Sequence, residues 1–342
     1  MDRIPGAYMR MGEPPLPAET SVETALNSRC SSDRDGNPRA GHWGMYDPDT
    51  PVPLEYLHAL DRGAQIPRFT HHRLSVDFDE RPIALAMSNA ASGTERQWLH
   101  VESGMQHQAV HLVCAALGMG TCIYNLGVEG RYLSEELWGT ARMGLEMMSP
   151  SFDGSLWSAK APDDWVSDSS LPDPRRDGGI PLLRAMEDLA TSAFGRKAER
   201  QDISQLLWAA RGRTPHLHAG RRWGLTIPTW AGIQDIACLY LASKDGVFRY
   251  VNWRDDKPTH ALEQIGGPVD RFEPDEYQMI MAANEQSSRA LWEVGYMIEN
   301  LLVQAGSIGV RYEAELLDPE AAGEYERAGI RGAAAVSTLY RK

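Results

Sequence analysis

Two long apolar helices, each bracketed by glycines, constrain this chain more than anything else in it. Residues 100–120 read HVESGMQHQAVHLVCAALGMG, and residues 291–310 read LWEVGYMIENLLVQAGSIGV. Placing Gly104 on Gly295 sets an offset of 191 (295 minus 104). The same offset carries Glu102 onto Glu293 and Gly118 onto Gly309, and it puts Val110, Cys114 and Leu117 on Leu301, Ala305 and Ile308. Each copy has apolar residues on more than one face, the pattern of a helix buried centrally. A glycine near the start permits close helix approach, and one at the end permits a left-handed cap. An apolar strand precedes each copy and another apolar segment follows, so the repeat extends beyond the helix itself.

The spacing of apolar and breaker residues predicts the other elements. A proline-rich arm, EPPLPAE, leads into a helix over 20–30 capped by Thr20 or Ser21, with Val22, Ala25 and Leu26 on its buried face. Residues 31–52 read as loop and 53–62 as a short helix, followed by a strand at 82–88, the long helix at 95–118 and an apolar segment at 119–126. Residues 151–180, rich in Ser, Asp, Pro and Gly, read as a linker or crossing arm. Beyond it come helices at 180–193 and 202–211, then a strand at 236–242 with GVFRYVNW as its hairpin partner. A helix at 274–284, the long helix at 289–308 and strands at 310–317 and 333–340 complete the chain.

The 342 residues are 42% hydrophobic with a formal net charge of −13, enough apolar material for a substantial core. The acidic balance argues against nucleic-acid or anionic-membrane partners, which need clustered positive charge. Cys30, Cys114, Cys122 and Cys238 form no CxxC pair and read as reduced thiols of a cytoplasmic protein. MDRIPGAYMRMGEPPLP has no apolar core of a signal peptide, and no run of apolar residues is long enough to span a membrane.

DISQLLWAARG (202–212), TIPTWAG (226–232), the strand before DGVFRY (245–250) and then the glycine-bounded helix occur in an order that resembles the FMN-dependent nitroreductase superfamily. The branch it resembles most contains azoline dehydrogenases of peptide-maturation clusters. The likeness is strongest over 180–320 and fainter over 14–35 and 80–127. It implies an α+β fold of mixed antiparallel sheets surrounded by helices. Family members are homodimers that hold FMN between subunits, so the repeat implies two fused halves forming a pseudo-dimer. Half 1 is 1–150, the arm is 151–180, and half 2 is 181–342.

The resemblance also implies site residues. The family's phosphate grip, Arg-Arg-Ser-x-Arg, is matched in part by Arg29 and Ser31; Cys30 and Asp33 replace arginines, and Arg34 is displaced by one place. Arginine suits this role because its planar fork pairs with phosphate oxygens. The family's Pro-Ser-x-Gly loop beside the flavin ring is matched by Pro228-Thr229-Trp230-Ala231-Gly232, and Trp230 would stack beside the ring or gate the pocket. Cys122, Tyr124, Asn125 and Gly127 follow the first long helix and would face the ring edge. Half 1 keeps part of the phosphate grip and half 2 keeps the ring loop, which implies one composite FMN site. The reaction implied is hydride transfer to or from a small molecule or modified peptide, with NAD(P)H as a candidate donor. The molecule would be a monomeric pseudo-dimer or a homodimer. The alternative is a flavin-free scaffold or ligand-binding descendant of the same fold.

Other candidates read as packing or surface. His107, His111 and Cys114 share one helix face, but the second copy puts Ile298 and Leu302 where the histidines stand, which favours an interface over a metal. His71-His72, His216-x-His218 and Arg221-Arg222 fall in loops, and Arg341-Lys342 ends the chain. No GxGxxG, GxSxG or Walker sequence is present.

Overall fold

The computed structural model describes residues 19–29, 75–78, 83–88, 94–117, 120–124, 141–149, 159–187, 195–215, 224–229, 236–267, 276–285 and 287–340. Its helices are α1 (Val22–Ser28), α2 (Thr94–Leu117), α3 (Leu182–Glu187), α4 (Arg200–Arg211), α5 (Ser288–Ile308) and α6 (Pro319–Arg327). Its strands begin with β1 (Ser75–Phe78), β2 (Ile83–Ser88), β3 (Gly120–Tyr124), β4 (Ala141–Ser149) and β5 (Val166–Ser167). The rest are β6 (Ala237–Ser243), β7 (Gly246–Arg254), β8 (Lys257–Gly266), β9 (Glu276–Ala283), β10 (Tyr312–Leu316) and β11 (Ala333–Tyr340). Among the described residues no helix is long and apolar enough to cross a membrane.

The fold is α+β; among the described residues there are two sheets with two central helices between them. A four-stranded antiparallel sheet, β1-β2-β4-β3, lies against α2. A seven-stranded sheet, β10-β11-β9-β6-β7-β8-β5, lies against α4 and α5, and it is mixed because β5 pairs in parallel with β8. Helices α2 and α5 pack on each other, and α1 and α3 complete the helical layer. On the far side of the seven-stranded sheet, α6 covers Ile280, Ala282 and Val336.

The two sheets share a strand order. Reading β6-β9-β11-β10 against β1-β2-β4-β3 pairs the strand before each long helix, the strand after it, and the last strand of each set. The offset of 191 also preserves a register. Gly120 lies opposite Ser149 in β3–β4; their equivalents, Arg311 and Tyr340, extend by one step the ladder in which Tyr312 lies opposite Leu339.

The helix crossing explains the shared glycines. A Cβ on Gly104 would lie 2.3 Å from the carbonyl oxygen of Trp292, and one on Gly295 would lie 2.0 Å from that of Val101. The two backbones therefore touch, and side chains are excluded on both sides of the contact. Ser287 caps the start of α5 by accepting from the N–H of Ala290. Gly309 ends it at φ 68°, in the left-handed conformation expected of a glycine cap.

One expected element is wrong in kind. The helix expected at 274–284 is strand β9, central in its sheet between β6 and β11. Its Met279 and Met281 enter the core beneath α4 and α5, while Ile280 and Ala282 enter the core beneath α6. A strand buried on both faces loses its alternating pattern and reads like a buried helix. Strands β1, β4 and β8 and helix α6 were not expected from the sequence. The β7–β8 turn places Asp255 and Asp256 at φ 52° and 58°, a two-residue left-handed turn that closes a hairpin. The expected helix at 53–62 and loop at 31–52 lie outside the described residues.

Candidate functional site

Three of the described candidate residues, Arg29, Pro228 and Thr229, come together where α1, α2, α4 and α5 meet the segment 224–229. That segment begins with Leu225 bridged to Arg213, and the Thr226 N–H donates to the Gly212 carbonyl over 3.0 Å. Arg29, at the end of α1, donates from Nε and Nη2 to the Leu225 carbonyl over 3.1 and 2.8 Å. Gln108 of α2 donates from Nε2 to the Thr226 carbonyl over 3.0 Å and to Asn300 Oδ1 over 2.7 Å. Asn300 of α5 donates to the same Thr226 carbonyl over 3.1 Å and to the Ala209 carbonyl over 2.8 Å. All of these side chains are buried, so the bonds are shielded from water and hold the segment in one geometry.

Arg29, Pro228 and Thr229 are thus brought to one place, from sequence positions about 200 apart. Pro228 is buried and Thr229 is half-buried at the segment's outer end. Arg29 is only 3% exposed, and its Nε–Nη2 edge is engaged by a backbone carbonyl. That edge is one of the two through which a guanidinium can make paired bonds to phosphate, so a phosphate on it would compete with the loop anchor. Cys122 and Tyr124 lie on β3, opposite Met147 and Leu145 of β4. Ser31, Arg34, Asn125, Gly127, Trp230 and Gly232 lie outside the described residues. So do His71, His72, His216, His218, Arg221, Arg222, Arg341 and Lys342.

The histidine face of α2 packs against α5. Trp292 donates from its indole N–H to His100 Nδ1 over 3.2 Å, and the His107 ring lies 6.0 Å from the Trp292 ring. Cys114 and Cys238 are both buried. Two buried polar groups tie the helical layer further. Arg211 of α4 pairs with Glu293 of α5 over 2.8 Å, with both side chains buried. Glu23 of α1 accepts from Gln304 over 2.7 Å and from Ser307 over 3.1 Å. Burial raises the Glu23 pKa, and the bonds from Gln304 and Ser307 oppose the rise.

A second polar cluster was not foreseen. Ser204, in the SQLLWAA run of α4, lies 2.7 Å from His260 Nε2, and the Tyr250 hydroxyl lies 2.8 Å from His260 Nδ1. The Ser204 hydroxyl donates to the Pro172 carbonyl. With its one proton so placed, Ser204 must accept from a protonated Nε2, and Nδ1 must accept from Tyr250. This order of donors is the reverse of a nucleophile and its general base, which needs an unprotonated ring nitrogen facing the hydroxyl. Burial, followed by the charge of Arg176, pushes the His260 pKa down to about 3, so the ring stays neutral. Trp165 stacks on His260 at 5.8 Å and Arg176 lies 4.4 Å from the Trp165 ring centre. The cluster therefore fastens Trp165, Pro172 and Arg176 to α4 and the seven-stranded sheet. The signal available in the sequence was polar residues inside apolar elements: Gln108, Asn300 and Gln304 in the long helices, and Ser204 in α4.

No protein-family model matches the chain, and no curated protein matches it. The chain is similar in structure to two solved proteins provisionally designated nitroreductases. One, from Ralstonia eutropha JMP134, shares 20% identity over 51% of this chain and 88% of that one, with a TM-score of 0.35. The other, from Thermotoga maritima MSB8, shares 10% identity over 94% of each chain, with a TM-score of 0.42.

Proposed function

We propose that this chain is an FMN-dependent oxidoreductase acting on a small molecule or modified peptide, built from two nitroreductase-like halves that meet as the subunits of a dimer would. The observation that carries this reading is the hydrogen bonding of Arg29, from the first half, to Leu225, at the start of the ring loop of the second. The composite site inferred from the motifs needs those two segments together. The common strand order of the two sheets and the glycine-to-glycine crossing of α2 and α5 support the fused-dimer part of the reading.

The described residues fit FMN as the wall that bears the ring loop. They do not make a finished phosphate grip, because the Nε–Nη2 edge of Arg29 holds the Leu225 carbonyl. In this reading Arg29 is a positioning residue. It sets the loop, together with Gln108 and Asn300, so that Pro228 and Thr229 and the following Trp230 and Gly232 face the ring. Cys122, Tyr124, Asn125 and Gly127 face the ring edge, and Ser31 and Arg34 meet the phosphate. Bound FMN would supply reversible two-electron chemistry at its ring. The chain's own contribution is to fix the loop, keep water from its anchor and orient substrate on the exposed face. NAD(P)H is the proposed donor.

A second reading, a flavin-free ligand-binding protein of the same fold, is favoured by one observation: Arg29 is already buried and engaged. The two separate on a visible absorption spectrum taken after incubation with FMN and removal of free flavin. The oxidoreductase reading expects retained flavin bands at one FMN per chain, bleached by NAD(P)H. Two per chain would defeat the single composite site, and a colourless protein would sink the oxidoreductase reading.

A further inference from the structure

A cavity of ≈ 590 Å³ opens at the N-terminal end of α4, where that helix and residues 170–171 lie over one face of the seven-stranded sheet. It is separate from the seam, since none of Arg29, Leu225, Pro228 and Thr229 lines it. Its size falls within the range of small-molecule sites. Its floor follows from strand register. Residues directly opposite in antiparallel strands share a face, as do residues two apart along one strand. Leu241 and Ser243 of β6 therefore share a face with Phe248 of β7, opposite Leu241, and with Tyr277 of β9, opposite Ser243. All four line the cavity. The other neighbour of Ser243 is Gly246 of β7, which has no side chain to fill its place in the row. A larger residue is barred there: a Cβ would lie 2.9 Å from the Gly266 carbonyl oxygen, and the backbone has φ 146°. The result is a notch at Ser243, with the half-buried Tyr277 and Phe248 beside it.

Ser243 is only 3% exposed. Its Oγ accepts from the Asp245 N–H over 3.2 Å, and among the described residues nothing accepts the Ser243 proton. A buried donor left unused is costly, so the floor presents one unanswered hydroxyl among apolar neighbours. The charged residues at the mouth, Glu199, Arg200 and Asp245, are all exposed. Arg200 is also occupied, donating from Nη2 to the Ser169 and Ser170 carbonyls over 2.7 and 3.0 Å. No charged lining residue is buried, so a charged group resting on this floor would lie unpaired. The floor is matched by a flat, uncharged ring that brings one hydrogen-bond acceptor.

We propose that this cavity binds an uncharged aromatic carbonyl compound. The carbonyl oxygen accepts the Ser243 proton, and the ring lies against Phe248 and Tyr277. This site goes beyond the flavin reading and does not rest on it. Isothermal titration calorimetry on the full chain tests it with two probes: acetophenone, and ethylbenzene, which has nearly the same shape and no acceptor. Acetophenone is expected to bind with a dissociation constant of about 1 mM or below, given its small number of atoms. Ethylbenzene is expected to bind about fivefold more weakly, the scale of one lost neutral hydrogen bond. Ser243→Ala should weaken acetophenone by the same factor and leave ethylbenzene unchanged, which also places acetophenone in this cavity rather than at the seam. Absence of saturable heat with acetophenone would overturn the proposal. So would equal binding of the two probes to the parent, or acetophenone binding to Ser243→Ala as tightly as to the parent. The two probes are compared on the parent chain, so misfolding of the variant would not hide the answer. Flavin content does not enter these outcomes, and the two readings stand or fall separately.

Discussion

The two sheets share a four-strand frame and differ in what is added to it. In the frame, β1-β2-β4-β3 and β6-β9-β11-β10 run in the same order, and each packs on one of the two central helices. Among the described residues only the second sheet continues past the frame, through β7, β8 and β5. The frame brings two helix backbones into contact and sets the seam. The extension carries His260 and Tyr250 of the buried Ser204–His260–Tyr250 chain and the anchorage of residues 166–170. Among the described residues, packing is thus what the two sheets have in common, and the polar devices of the extension belong to one of them.

The largest effect expected is at Glu293, which the offset of 191 aligns with Glu102. Glu293 pairs with Arg211 in a fully buried setting, and Arg211 comes from α4, which lies on the second sheet. Glu293→Ala removes one member of that pair and leaves a buried guanidinium, at a cost of ~3–5 kcal/mol. Denaturant unfolding measures it. A loss below about 1 kcal/mol would mean that water reaches Arg211 and that this ion pair is not part of the core.

Next is the crossing itself. Gly104→Ala and Gly295→Ala each push a methyl group into backbone rather than into a flexible side chain, so each should cost about 3 kcal/mol, the upper part of the usual overpacking range. The two glycines face each other, with the Gly104 Cα 2.9 Å from a Cβ placed on Gly295. The double variant should therefore cost less than the sum of the singles, because one separation of the helices relieves both clashes. Full additivity, or a large inequality between the two singles, would mean that the two glycines do not share one close contact.

These glycines were legible because close approach demands the same residue on both helices, at a spacing that a single chain displays openly. The strand–helix–strand order around each helix was legible for the same reason. Strand β9 was not, because two covered faces erase the alternation that marks a strand. Helix α6 had signals that went unread: Asp318 accepts from the Ala321 N–H and Pro319 opens the helix. At the site, motif order pointed to Arg29 and to the Pro228 loop. What Arg29 does there was hidden, since its partner is a backbone carbonyl 196 residues away, and a carbonyl has no side-chain identity to read. The same holds for Gln108, Asn300 and Ser204, each of which meets a backbone carbonyl.

The smallest effect separates the extension from the frame by pH. His260 has its pKa pushed down to about 3 in the folded chain, from 6.5, chiefly by burial. Below 6.5 the unfolded chain gains a proton that the folded chain refuses. The stability associated with His260 is therefore complete above pH 6.5 and is lost as pH falls toward 3. The slope approaches ~1.4 kcal/mol per pH unit at most. Arg176 steepens this dependence, while Asp168, Asp173 and the Pro172 carbonyl oppose it. Glu23 acts in the other direction: its raised pKa gives stability that is complete below 4.5 and is lost as pH rises through the folded value. Whole-protein profiles mix the two, so the informative quantity is the difference between the parent and His260→Gln, followed by urea unfolding from pH 7 to pH 4. The parent should lose stability relative to the variant on acidification, starting near pH 6.5. Parallel profiles would mean that water or an added proton reaches the ring, and the arm would then be held by Trp165 and Arg176 rather than by a neutral buried histidine.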